Sequence, residues 1–151
     1  MAEPKPVAYV CGPYRDPNPG RVARNAKRAL SVAEVLGSLG FAPIVPHLNC
    51  GPLGGGIAES TVMQICLALL RRCDLVVCCV AEPVAMRSEG TCRELLEADR
   101  VCLPVVYWDS APGVMNELLT DWLAGWRVEQ RALDAEIEAK LAAVSAAGRM
   151  N

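Results

Sequence analysis

The chain is poor in the residues that usually announce a metal site, a nucleic-acid surface or a membrane span. It has one histidine, His47, too few for the usual Cys/His zinc patterns, and its eight cysteines include no C-x-x-C pair. Net charge is −2, which gives no global basic footprint for a nucleic-acid polymer, so any basic patch has to be local. No apolar run approaches the roughly 18–20 residues of a membrane helix. The opening Met1-Ala-Glu-Pro-Lys-Pro has no apolar signal core. There is no internal repeat, no Walker A loop and no G-x-G-x-x-G fingerprint. These absences point to a cytoplasmic protein with free, mostly buried thiols and no membrane partner.

What is present is a core. With 151 residues, 52% of them hydrophobic, one α/β domain without staples is the expectation. Val7–Cys11 reads as a strand stopped by Gly12-Pro13, followed by a Pro/Gly loop at 17–20. Arg21 to Leu39 carries apolar residues at spacings of three and four and reads as a helix ended by Gly40. Phe41–Val45 is a second strand, and 49–56 a loop. Ser60 or Thr61 would cap a helix running to Arg72. Leu75–Val80 is apolar on both faces and should be a central parallel strand. A polar loop is expected at 81–89, a short helix at 91–100, a buried strand at 101–108, and two helices at 111–126 and 129–147. The alternation predicts a flavodoxin-like (Rossmann-like) open parallel sheet of four or five strands with helices on both faces. The expected division is 1–126 for this domain and 127–151 for a C-terminal helix and tail. Leu133, Ile137, Leu141 and Val144 form a stripe there that could close the core or pack on a second subunit.

In such sheets ligands bind beyond the carboxyl ends of the strands, so the loops 12–20, 81–90 and 109–113 must carry the function. In Cys11-Gly-Pro-Tyr-Arg15, Gly12 lets a ligand approach the backbone and Arg15 can fork onto a phosphate or carboxylate, although a plain turn with an exposed arginine would read the same. In Ser88-Glu-Gly-Thr-Cys-Arg-Glu94, Gly90 permits a tight turn, Ser88 and Thr91 can cap a helix, and the helix N-terminus favours an anion. Glu94 lies about one turn inside, either facing the mouth or closing a capping box with Thr91. Tyr9, on the first strand, could hydrogen-bond a carboxylate at the mouth or sit half-buried in the core. His47 could serve general acid–base work, though a local hydrogen-bonding role is the commoner use of a lone histidine. Trp122 and Trp126, four apart, suit packing. Trp108, at a strand end, is the better ligand neighbour.

Taken in order, Tyr9-x-x-Gly12-Pro13-Tyr14-Arg15, Pro46-His47-Leu48-Asn49, Arg72-Cys73-Asp74-Leu75, Ser88-x-Gly90-Thr91-x-x-Glu94 and Leu103-Pro104-Val105 resemble the nucleoside 2-deoxyribosyltransferase superfamily. That group includes deoxynucleoside 5'-monophosphate N-glycosidases and cytidylate hydrolases. The resemblance spans about residues 7–120. It implies no metal or organic cofactor, a small-molecule nucleotide or nucleoside as partner, and a homodimer or higher homo-oligomer. Glu94 would be the nucleophile at C1' and Tyr9 its orienter. Gly12, Tyr14, Arg15, His47, Ser88 and Gly90 would bind substrate, several of them around a 5'-phosphate, and Asn116 would match a polar residue lent by a neighbouring subunit. The logic is that of a retaining glycosidase. Ser88 and Arg15 favour a monophosphate, hence hydrolysis over transfer. The pattern departs at Cys66, where the family often has an aspartate, and in a longer 81–87 segment. Two other readings stay open: a nucleotide-binding protein that has lost catalysis, motivated by Cys66, and an interaction module built on 122–144.

Overall fold

A computed structural model of the protein describes residues 3–108 and 112–148. The chain divides into two compact units, Met1–Ala111 and Pro112–Asn151. In the first, four parallel strands form one open sheet: β1 (Val7–Cys11), β2 (Ala42–Ile44), β3 (Leu75–Cys78) and β4 (Val105–Tyr107), in the order β2-β1-β3-β4. Helices pack around it: α1 (Pro19–Leu39), α2 (Pro46–Asn49), α3 (Glu59–Leu70), α4 (Glu82–Ala85) and α5 (Glu89–Arg100). The second unit is one long helix, α6 (Pro112–Gly148).

Composition sets which strands lie inside. Ala8 to Cys11 of β1 and all of β3 are fully buried. A strand apolar on both faces can only sit between neighbours and under helices. Asp74 ties their starts together: its Oδ2 accepts from the Val7 N–H at 2.7 Å, and its own N–H donates to the Val7 carbonyl at 2.8 Å. β4 and β2 are the edges. Val105–Tyr107 is only half-buried, so the buried strand expected over 101–108 is shorter and more open than its composition suggests.

α1 begins two residues earlier than its apolar pattern. Asn18 caps it, accepting from Gly20 N–H at 2.9 Å, and Pro19 takes the first position, where a missing N–H costs nothing. Its buried stripe is Ala29, Val32, Ala33 and Leu36. Gly40, at φ 108, ends it in a conformation that side chains avoid. Proline also starts α2 at Pro46, just past the second strand, and α4 lies inside the loop expected at 81–89, with Pro83 in its first turn. A 3-10 turn occupies Gly51–Gly55.

Neither Ser60 nor Thr61 caps α3: Ala58 takes that position, and no side chain bonds there. The two C-terminal helices expected at 111–126 and 129–147 are one, because Arg127 and Val128 between them include no glycine or proline to end a helix. On α6, Met115, Leu119 and Leu123 are buried, whereas Leu133, Ile137, Leu141 and Val144 are exposed. All eight cysteines are free, and six of them are buried. Among the described residues no helix is long and apolar enough to cross a membrane.

Candidate functional site

From β1 the chain crosses to β2 on one side and later to β3 on the other, so the order reverses between β1 and β3. Their carboxyl ends should therefore open onto a crevice. A cleft of about 780 Å³ lies there, walled by the loop after β1, the α1 face, α2, α3 and the N-terminal turn of α5. Its volume falls in the range of small-molecule sites.

The loop after β1 is held open by close approaches. A Cβ at Gly12 would overlap Cys79 Sγ, so only glycine lets β1 and β3 exit side by side. A Cβ at Gly51 would overlap the Tyr14 hydroxyl, so that glycine admits the tyrosine ring. His47 is buried and hydrogen-bonds the Pro13 carbonyl through Nε2 at 3.1 Å, with the Tyr14 ring edge-on at 5.3 Å. A carbonyl only accepts, so Nε2 carries the proton. Burial lowers the imidazole pKa, which keeps the ring neutral. His47 thus fixes the loop's shape. Asn25 braces the same loop, donating from Nδ2 to the Tyr14 carbonyl at 3.3 Å.

The floor of the cleft is the Tyr9–Glu94 pair. Tyr9, fully buried on the central strand, donates its hydroxyl to Glu94 Oε1 at 2.6 Å. Glu94 thereby leaves the capping box unmade; Ser88 alone caps α5, accepting from the Thr91 N–H, while the Thr91 hydroxyl donates to Ser88 Oγ at 3.0 Å. Glu94 is 7% exposed and lines the cleft. Burial pushes its pKa up to about 8, opposed by the Tyr9 hydrogen bond, which favours the carboxylate. Burial likewise raises the Tyr9 pKa, so its proton stays put. Cys11, Cys66, Cys78 and Cys79 are near enough to interact with Glu94 electrostatically. The Cys66 thiol lines the cleft, and burial pushes its pKa up to about 12, so it stands as a neutral S–H.

Seven of the residues read from the sequence line this one cleft: Gly12, Tyr14, Arg15, His47, Ser88, Gly90 and Glu94. Tyr9 lies beneath them. Arg15 faces the cleft but pairs with Glu59 at 2.7 Å, with both side chains more than half exposed; such a pair is weak and a phosphate can compete for it. Gly90 makes no tight turn. It is an ordinary residue of the first turn of α5, where a Cβ would meet only Met63 Cε at 3.4 Å. Trp108 is not among the lining residues; its N–H donates to the Cys78 carbonyl at 2.8 Å and extends the β3–β4 pairing. Asn116 is an exposed residue of α6. Residues 109–111, most of the third expected loop, lie outside the described residues.

Sequence reasoning missed Asn25, Arg24, Arg28 and Arg87, all of which line the cleft. Arg21, Arg24 and Arg28 stand off the apolar stripe of α1. Their spacing of three and four was the available signal. Among the described residues no three His, Cys, Asp or Glu side chains gather as a metal site would require.

Compared with known proteins, the chain matches no family model and no curated protein.

Proposed function

We propose that the protein hydrolyses the N-glycosidic bond of a nucleoside 5'-monophosphate, with Glu94 as nucleophile. The observation that carries this reading is the buried Tyr9–Glu94 hydrogen bond at the floor of a cleft at the sheet's switch point. In the reaction, the ionised carboxylate forms a bond to C1' as the C1'–N bond breaks. The electron pair leaves with the base, which takes a proton from water. Water then attacks C1' of the glycosyl ester and frees Glu94. Tyr9 orients the carboxylate and favours its charged form. The 5'-phosphate takes the Arg15 guanidinium, the Ser88 hydroxyl and the unbonded N–H groups of the first turn of α5. The sequence resemblance to nucleoside 2-deoxyribosyltransferases supports the same assignment.

A second reading has its own observation: Cys66 stands in the cleft as a neutral thiol and cannot supply an acid. On that reading the cleft binds nucleotide without turning it over. One experiment separates the two. Ribo- and deoxyribonucleoside 5'-monophosphates are incubated with wild type and Glu94→Gln, and free base is followed by chromatography. Release by the wild type alone supports the glycosidase. Saturable binding without release by either supports the binding protein.

A further inference from the structure

The cleft carries more positive charge than a monophosphate needs. Five arginines line it: Arg15, Arg21, Arg24, Arg28 and Arg87. Arg15 pairs with Glu59, and Arg21 with Asp16 at 3.5 Å. Of the other lining carboxylates, Glu89 is held by Arg93 at 2.6 Å and Glu94 by the Tyr9 hydroxyl. Arg24, Arg28 and Arg87 face the cleft with no carboxylate partner among the described residues. Glu94 is largely protonated at neutral pH and offsets little of their charge.

The placement of these side chains is as informative as their number. Arg21, Arg24 and Arg28 recur at three and four residues on α1, so they share one face and span roughly 10 Å of helix. That row is longer than a single phosphoryl group. Arg28 is also close enough to Cys79, just past β3, for its charge to act on that thiol. Arg87 immediately precedes the Ser88 cap of α5. Arg24 and Arg28 therefore extend the anion site along α1, and Arg87 continues it beside Ser88.

We infer that the cleft is built for a nucleoside 5'-diphosphate, with the first phosphate at Arg15 and Ser88 and the terminal phosphate held by Arg24, Arg28 and Arg87. The three unpaired guanidiniums face the doubly charged terminal phosphate, and Arg15 the singly charged first one. A monophosphate would leave part of the row unused, and a pyrophosphate esterified at both ends carries one charge less. The inference rests on the nucleotide reading above and extends its substrate from the monophosphate to the diphosphate.

The test is titration calorimetry with nucleosides, their 5'-monophosphates and their 5'-diphosphates over the common bases, with NAD as the doubly esterified pyrophosphate and base release read on the same samples. The diphosphate of the preferred base is expected to bind about tenfold more tightly than its monophosphate, or better, as one added charge-assisted contact provides. Arg24→Gln with Arg28→Gln should erase that preference, bringing the diphosphate down to the affinity of the monophosphate. Lys27→Gln, which removes a neighbouring charge of α1 outside the cleft, should keep it. Equal binding of mono- and diphosphate overturns the inference. So does a preference that survives the double variant or disappears with Lys27→Gln, and so does tighter binding of NAD than of the diphosphate. Base release from monophosphates without any diphosphate preference would overturn this inference alone. A diphosphate preference without base release would support it and remove the glycosidase.

Discussion

Glu94 and Glu97 stand one turn apart on α5, and both are largely buried, yet they are held in opposite ways. Glu97 accepts from Arg100 through both oxygens, and Arg71, just past the end of α3, bonds it as well. These hydrogen bonds and charges, Arg100 foremost, hold its pKa down at about 2. Glu94 has one neutral donor, Tyr9, and burial holds its pKa at about 8. A carboxylate with two guanidiniums on it has three of its roughly four acceptor sites filled and its charge neutralised, which suits it to tie α5 to the end of α3 and not to react. A carboxyl with one neutral donor and an open cleft in front of it keeps its reactivity at a cost in stability. One helix thus serves function at its N-terminal end and architecture at its C-terminal end.

The sharpest way to break that contrast is at Glu94. Glu94→Gln keeps the shape and removes the nucleophile, and base release should fall by about 10³-fold or more. In the wild type, kcat/KM should rise with pH and level off above about 8, because the attacking group is the carboxylate. A flat profile would mean that Glu94 is ionised throughout, as Glu97 is. Stability should move the other way. Folded Glu94 keeps its proton up to about 8, while the unfolded chain releases it near 4.5, so stability declines as pH rises through that window. Glu94→Gln should remove this decline, giving a higher urea midpoint than wild type at alkaline pH.

Tyr9→Phe is next in size. It leaves the buried carboxyl without its donor, and the lost interaction of about 1–3 kcal/mol should appear as a roughly 10- to 100-fold fall in turnover. Because the Tyr9 hydrogen bond favours the charged form, the inflection of the pH profile should move upward. An unmoved inflection with reduced turnover would give Tyr9 a purely structural role.

This contrast was only half legible in the sequence. The sheet could be read because Val7–Cys11 and Leu75–Cys78 are apolar on both faces, and that pattern has few other homes. The cleft residues could be read because glycine, serine and arginine follow strand ends, where such sheets bind ligands. What separates Glu94 from Glu97 could not be read. Both are glutamates of the same helix; Arg100 is a local partner of Glu97, but Tyr9 and Arg71 come from far away in the chain. The α1 arginines were hidden for a similar reason, since a helical row of cations looks the same whether it faces water or a cleft. Pro19 was read as a loop residue because proline marks both loops and first helical turns; the Asn18 cap settles which.

Glu97→Gln sharpens the contrast from the structural side. Its folded pKa lies below its unfolded one, so its contribution is complete above about 4.5 and is lost as pH falls through about 2. The variant should therefore unfold at lower urea than wild type at pH 7, and the difference should shrink in strong acid. Base release should persist, since Glu97 does not line the cleft. A Glu97 variant as inactive as Glu94→Gln would undo the division of α5 into two roles.

The smallest effect is expected just past the end of α5. Cys102 sits at φ 58, in the left-handed region, with its side chain exposed. The chain turns there because the Cys102 N–H bonds the Asp99 carbonyl and the Leu103 N–H bonds that of Ala98, satisfying carbonyls of the helix's last turn. A residue with a Cβ is strained in that conformation by roughly 1–2 kcal/mol, and glycine is not. Part of the gain is offset by the greater freedom of glycine in the unfolded chain. Cys102→Gly should therefore stabilise the protein by about 0.5–1 kcal/mol in urea unfolding, with base release unchanged. A loss of base release would show that the two ends of α5 are coupled, and that strain at its C-terminal end helps to set Glu94 in the cleft.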